Sequence, residues 1–300
     1  MTLSELKYIV ALAQERHFGH AAERCFVSQP TLSVAIKKLE SELGISLFER
    51  SKNAVTITPL GEQVVHQAQV VLENVRSLQD IAAGGKDQLK GSLKIGAIFT
   101  IGPYLFPHLI PQVQQLAPDM PLYIEESYTK VLRQKLREGE LDIIIVALPF
   151  NEPDVLTKAL YDEPFEVLLP KDHDWLKKKT VSPDQLPDSD LLLLGEGHCF
   201  RDQVMDMCPA LGKNQNTKLK SSAEGSSLET LRHMVASGLG ITVLPKSATG
   251  VGSYATGLLE TRPFIKPAPS RTVAIAWRAS FPRPKAVDLI TQAASLCRLF

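Results

Sequence analysis

Between Phe18 and Gly44 two apolar stripes at helical spacing stand on either side of a short interruption, which confines this stretch to two brief helices meeting at a tight turn. Phe18, Ala21, Ala22 and Cys25 fall at i, i+3, i+4 and i+7; Val27 then breaks the pattern and Ser28 offers an N-cap. A further helix starts near Gln29. Pro30 is tolerated there because first-turn amides have no intrahelical partner, and Leu32, Ile36, Leu39 and Leu43 form its inward stripe until Gly44 stops it. Upstream, Thr2 followed by Glu5 is a capping-box signature, and Leu3, Leu6, Val10 and Ala13 predict a first helix. The outer face of the third helix is left with Gln29, Thr31, Ser33, Val34, Lys37 and Lys38. Three short helices whose last has a polar amino-terminal turn and a basic outer face meet the needs of a helix-turn-helix, where the recognition helix enters the major groove. Leu47–Arg50 and Val55–Thr58, joined by Ser51, Lys52 and Asn53, predict a hairpin wing.

Charge alone does not decide for nucleic acid. The chain of 300 residues has 33 basic and 33 acidic side chains, and residues 1–58 hold seven and six, so no global basic field exists and any DNA binding must be local. The amino terminus lacks the basic start and apolar block of a signal peptide, and no apolar run approaches the roughly 20 residues needed to cross a bilayer, so a cytoplasmic protein with no membrane partner is expected. Four cysteines (Cys25, Cys199, Cys208, Cys297) form neither a CxxC pair nor a zinc spacing, and His17, His20, His66, His108, His173 and His233 show no metal-like cluster. No cofactor or metal is expected.

Pro59 to about Ile81 predicts a long helix with a wide apolar stripe (Val64, Val65, Ala68, Val71, Leu72, Val75, Leu78), fit to pack against a copy of itself or against its own domain. Gly84 and Gly85, followed by Lys86 to Lys90, suggest a hinge. Beyond it strands alternate with helices: Ser92–Ile98, Leu122–Glu125, Leu141–Ala147, Phe165–Leu169, Asp190–Leu194, Ile241–Leu244 and Val273–Trp277, a pattern that predicts an α/β unit with a largely parallel sheet.

The segment AAERCFVSQPTLSVAIKKLESELGISLFERSKNAVTITPLGE, from Ala21 to Glu62, resembles the winged helix-turn-helix of LysR-type regulators. GEGHCFRDQVMDMC (Gly195–Cys208), with IFTIGPYLFPHLIP and SSLETLRHMVASGLGITVLP, resembles the peroxide-sensing subfamily of those regulators, and the likeness extends over essentially the whole chain. The resemblance implies an amino-terminal all-α winged helix-turn-helix (1–58), a dimerising linker helix and hinge (59–90), and a periplasmic-binding-protein-like α/β effector domain of two lobes, 91–161 with 269–300 and 162–268. It implies that Gln29, Pro30, Thr31 and Ser33 face base edges or nearby backbone of double-stranded promoter DNA while Lys37 and Arg50 meet phosphates. It further implies Cys199 as the peroxidatic thiol and Cys208 as the resolving one, with Thr100, Thr129, His198 and Asp202 around the peroxide.

Chemistry is consistent with that assignment. A thiolate is favoured at a helix amino terminus and beside His198 or Arg201, whereas Asp202 opposes it. The two cysteines lie nine positions apart, in a continuous helix roughly 13 Å of rise and about 180° of rotation. A disulfide needs Cα atoms about 4.4–6.8 Å apart, so oxidation must refold the segment. The resemblance further implies a dimer or tetramer, mainly activation, contact with RNA polymerase, and resetting by a glutaredoxin- or thioredoxin-type reductant, hence a regulator and not an enzyme. Alternatives left open are a LysR-type regulator whose cleft binds a small organic effector, a thiol peroxidase, and a solute-binding protein.

Overall fold

The computed structural model describes residues 1–50, 55–84, 87–208, 224–250 and 257–300, which divide into two compact units: Met1–Asp87 with Ser280–Pro282, and Gln88–Ala279 with Arg283–Phe300.

The first unit is built from α1 (Leu3–Glu15), α2 (Phe18–Arg24), α3 (Gln29–Leu43), a hairpin of β1 (Phe48–Arg50) and β2 (Val55–Ile57), and α4 (Pro59–Gly84). The capping box forms as its spacing implies: Thr2 Oγ1 accepts from Glu5 N at 3.2 Å and Glu5 Oε2 accepts from Thr2 N at 2.7 Å. Ser28 caps α3 by accepting from Thr31 N at 3.3 Å, and Gly44 ends it at φ 69°, a left-handed conformation that costs glycine nothing. Glu40 Oε1 accepts from Leu47 N and Phe48 N at 2.9 and 3.2 Å, which ties α3 to the hairpin. The hairpin pairs Phe48 with Ile57 and Arg50 with Val55; its tip, Ser51–Asn53, lies outside the described residues. Leu6, Ile9, Leu12, Leu32, Ile36, Leu39 and Leu47 form the core.

The apolar stripe of α4 serves its own domain through Val64, Val65, Ala68, Val71 and Leu72, whereas Leu78 further along is 66% exposed. Gly84, read as hinge, is the last residue of the helix, because one glycine at a helix end costs only about 1 kcal/mol and commonly serves as its terminus. Gly85 and Lys86 lie outside the described residues.

The second unit contains β3 (Leu93–Ile98), α5 (Gly102–Leu116), β4 (Leu122–Ser127), α6 (Thr129–Arg137), β5 (Ile143–Ala147), β6 (Val155–Pro170), β7 (Leu191–Leu194), α7 (Cys199–Asp206), β8 (Glu224–Gly225), α8 (Leu228–Ala236), β9 (Ile241–Pro245), β10 (Leu259–Pro263), β11 (Ser270–Arg278) and α9 (Pro284–Ser295). The strands run in the order β4-β3-β5-β11-β6-β9-β7-β8, with β10 also on β6. Pairing is mixed, not largely parallel. β3 is parallel to β4 and β5, and β7 to β8 and β9; β11 is antiparallel to β5 and β6, and β6 is antiparallel to β9 and β10. Apolar runs identify buried strands without fixing their direction, which the crossovers decide.

One strand carries two sheets. Val155–Pro164 pairs with β11, and from Phe165 the same strand pairs with β9 and β10. Beyond that switch the strand is largely buried in a second core with Leu191–Leu194, Phe200, Val204, Cys208, Leu231 and Val243.

Candidate functional site

Three junctions where the chain leaves an extended segment and enters a helix meet at one place. Ile98–Thr100 closes β3 before α5; Ser127–Thr129 closes β4 and opens α6; Gly197–Cys199 follows β7 and opens α7. Together they line a pocket of ≈ 180 Å3 that opens partly to solvent. Strand ends and helix starts are where open α/β sheets hold polar ligands, because amides there lack intrahelical partners. Gly197 makes the last turn possible: its φ is +93°, and a Cβ would meet the Tyr128 ring at 3.4 Å.

Cys199 is the first residue of α7 and is half-buried. The first turn of a helix presents N–H groups without intrahelical partners, and Cys199 belongs to that turn. His198, just before it, is 6% exposed and packs against Tyr128 (ring centroids 4.8 Å) and Phe99 (6.0 Å), which themselves meet edge to face at 5.2 Å. Burial pushes His198 below the ordinary histidine range, and a hydrogen bond to the backbone of Ser226 opposes that only in part. The imidazole is therefore neutral near pH 7, and its buried Nε2 has no hydrogen-bond partner. As a neutral ring it supplies a polar nitrogen to the site.

Two hydroxyls complete the polar lining. Thr100, 2% exposed, receives Arg271 Nη1 on Oγ1 at 2.9 Å and Nη2 on its carbonyl at 2.7 Å, so its own hydroxyl hydrogen is left to point elsewhere. Thr129 Oγ1 is buried and has no partner. Orphaned buried polar groups cost stability, and their clustering around one sulfur marks a place kept for a small polar guest. Arg271 also donates from Nε to Glu163 Oε2 at 2.8 Å, and its guanidinium lies 5.4 Å from the Phe200 ring centre.

The structure thus brings Thr100, Thr129, His198 and Cys199 together and leaves out two residues named with them. Asp202 is exposed on α7 and is not among the lining residues. Arg201 donates from Nη1 to the Leu194 carbonyl at 2.7 Å and does not line the pocket. Sequence reasoning missed Phe99, Tyr128, Arg271 and Glu163. The signal for Arg271 was present: a guanidinium one residue into the apolar strand SRTVAIAW is a buried charge in need of an anion.

Cys208 stands at the other end of α7, two residues past Asp206, and is 2% exposed within the second core. No disulfide joins it to Cys199. With a helix from Cys199 to Asp206, the rise between the two exceeds what a disulfide spans.

On α3, Gln29, Pro30, Thr31 and Lys37 are exposed and Ser33 is partly so. Arg50 is in β1, its side chain outside the described residues. No group of side chains among the described residues is arranged to hold a metal ion, and no described helix is long and apolar enough to cross a membrane.

Comparison with known proteins places these features. Residues 3–62 match the "Bacterial regulatory helix-turn-helix protein, lysR family", and residues 86–296 match the "LysR substrate binding domain". The "DNA-binding transcriptional dual regulator OxyR" of Escherichia coli K12 is 40% identical over 293 residues, 98% of this chain and 94% of the relative. Among solved structures, full-length OxyR C199D from Pseudomonas aeruginosa is 60% identical with a TM-score of 0.81, covering 100% of this chain and 96% of that one. An H2O2-bound cysteine mutant of Corynebacterium glutamicum OxyR is 34% identical with a TM-score of 0.67, covering 98% and 91%. The chain belongs to the LysR family of bacterial helix-turn-helix regulators, and within it to the OxyR group.

Proposed function

We propose that this chain is a DNA-binding transcriptional regulator that senses hydrogen peroxide by oxidation of Cys199 and disulfide formation with Cys208. One observation carries the reading: Cys199 opens α7 at the pocket holding the unpartnered Thr129 hydroxyl and His198 Nε2, while Cys208 is held in the core past the other end of the same helix. The Cys199 thiolate attacks one peroxide oxygen, forming the S–O bond as the O–O bond breaks. Hydroxide leaves and takes a proton to become water, assisted by hydrogen bonds from Thr100 and Thr129, which act where charge develops. The Cys208 thiol then attacks the sulfenic sulfur, forming the S–S bond and releasing a second water.

The second step requires α7 to open. That withdraws Phe200, Val204 and Cys208 from the core they share with Leu191–Leu194, so the chemical event becomes a conformational one. Pocket size speaks against an organic effector in this place: the space left for a guest is ≈ 10 Å3, about enough for one water-sized molecule and far below the roughly 300–1,000 Å3 of pockets that enclose such ligands.

The reading extends to the rest of the chain. Residues 1–58 bind double-stranded promoter DNA through Gln29, Pro30, Thr31, Ser33, Lys37 and Arg50; 59–90 form the linker through which two copies associate, with Leu78 available on α4; 91–161 with 269–300 and 162–268 form the two effector lobes. The assembly is a dimer or tetramer that engages RNA polymerase in the cytoplasm, is reset by a glutaredoxin- or thioredoxin-type reductant, and does not turn over as an enzyme.

Intact-mass measurement and peptide mapping after brief, dilute peroxide treatment test the chemistry. The expected product is two mass units lighter than the reduced chain, with one peptide pair joined through Cys199 and Cys208. A sulfenic acid elsewhere, or no change at Cys199, would refute it.

A further inference from the structure

The outer face of α3 carries a side chain that a merely solvated helix has no use for. Leu32, Ile36 and Leu39 are fully buried. Val34 follows Leu32 by two positions, about 200° around the helix, so it projects directly away from the core. It is 67% exposed. Pro30, Thr31 and Lys37, which flank it on that face at helical spacing, are exposed as well. A β-branched residue is a weaker helix former than alanine, glutamine or lysine, and two thirds of this one is left in solvent, so neither helix propensity nor core packing favours it here.

We propose that Val34 contacts the 5-methyl group of a thymine in the major groove and thereby helps to determine which operator the chain selects. This rests on the DNA-binding reading given above. Among the groups that base pairs present in the major groove, the thymine methyl is the apolar one; every other feature is a hydrogen-bond donor or acceptor. Valine has no polar atom with which to meet those features and two methyl groups with which to meet this one. Its χ1 angle is nearly fixed in a helix, so docking orders little that was free before. The surroundings supply what apolar contact cannot: Gln29 and Thr31 offer hydrogen bonds to base edges, and Lys37, exposed three positions on, offers a cation to phosphate.

The full-length protein is first used to enrich duplexes from a randomised pool. The enriched duplex is then remade with each thymine singly replaced by uracil, which removes the 5-methyl and leaves the hydrogen-bonding edge unchanged. The wild-type chain is expected to lose about three- to tenfold in affinity at one thymine of each half-site, the scale of one buried methyl contact. Val34→Ala is expected to bind the thymine duplex correspondingly more weakly and to bind the two duplexes alike. Because Val34 is an exposed residue, its thermal unfolding should match the wild type and so exclude misfolding. Equal wild-type affinity for every uracil duplex, or an undiminished uracil penalty in Val34→Ala, overturns the inference. Failure of the wild type to enrich any sequence is a different outcome: it overturns the DNA-binding reading itself, and this inference with it.

Discussion

Arg271 holds Thr100 at two points, donating to its hydroxyl at 2.9 Å and to its carbonyl at 2.7 Å, while a third donor of the same guanidinium reaches Glu163. Glu163 in turn accepts from Ser247 N at 2.9 Å, beside the end of β9. The floor of the pocket is thereby tied to β11, to the point where β6 changes sheets, and to the turn after β9.

Removing Arg271 should be costly for this reason. Arg271 and Glu163 side chains are 1% and 0% exposed, so truncating one leaves the other charged, buried and unpaired. Arg271→Ala is expected to lose about 3–5 kcal/mol of unfolding free energy, and adding Glu163→Gln should recover part of it. Urea unfolding of the two variants and the wild type measures both. A loss under about 1 kcal/mol would mean that water or another group replaces the guanidinium.

Thr129 should show the reverse balance between stability and activity. Its hydroxyl is buried without a partner, so Thr129→Val removes an unsatisfied group at nearly constant shape. Stability is expected to hold or rise by up to about 1 kcal/mol, while the second-order rate of Cys199 oxidation falls by about tenfold or more. Stopped-flow oxidation beside thermal melting separates the two quantities. An unchanged oxidation rate would remove Thr129 from the chemistry.

What was legible in the sequence follows physical lines. The helices of the first unit were readable because their apolar spacing and caps at Thr2, Ser28 and Gly44 are local signals. The first half of β6, Val155–Pro164, was not: half of its side chains are exposed and only Glu163 is buried, so it lacks the apolar signature that revealed Phe165–Leu169. Strand direction was also hidden, since β11 joins β6 and β5 across more than a hundred residues of chain, a tertiary matter. In the pocket, Cys199, His198, Thr100 and Thr129 were accessible through a resemblance, while the rings of Phe99 and Tyr128 were accessible only through the meeting of two strand ends. Asp202 is exposed on α7 and outside the lining, which its place one turn past Cys199 does not decide.

His198 should make stability pH-dependent with a definite sign. Burial holds its folded value below the 6.5 typical of an exposed histidine, so between those two values the unfolded chain binds more protons. Stability is therefore full above about pH 6.5 and declines as pH falls through that value towards the folded one. His198→Asn, which does not titrate, is expected to flatten the slope of unfolding free energy against pH in that window. A wild-type slope of the opposite sign, or one that the substitution leaves intact, would show that other groups govern it; His173, lowered by burial too, is the control to substitute next.

The two cysteines should fail in different ways, because the structure separates the group that meets oxidant from the group that must be brought to it. Cys199 faces the pocket and Cys208 does not, so Cys199→Ser is expected to abolish peroxide-dependent activation of a reporter. Cys208→Ser leaves the first step intact and removes the second. The sulfenic acid on Cys199 then persists and is driven on to sulfinic acid, adding 32 mass units (two oxygens of roughly 16 each) where the wild type loses two. Mass spectrometry across a peroxide titration distinguishes the two fates. Since α7 has no disulfide to open it in either variant, both should also keep the protection of its amides from hydrogen exchange under oxidant, whereas the wild type should lose it. Retained protection in oxidised wild type would mean that the bond, if formed, does so without refolding α7, and the coupling of thiol chemistry to conformation proposed for this chain would be wrong.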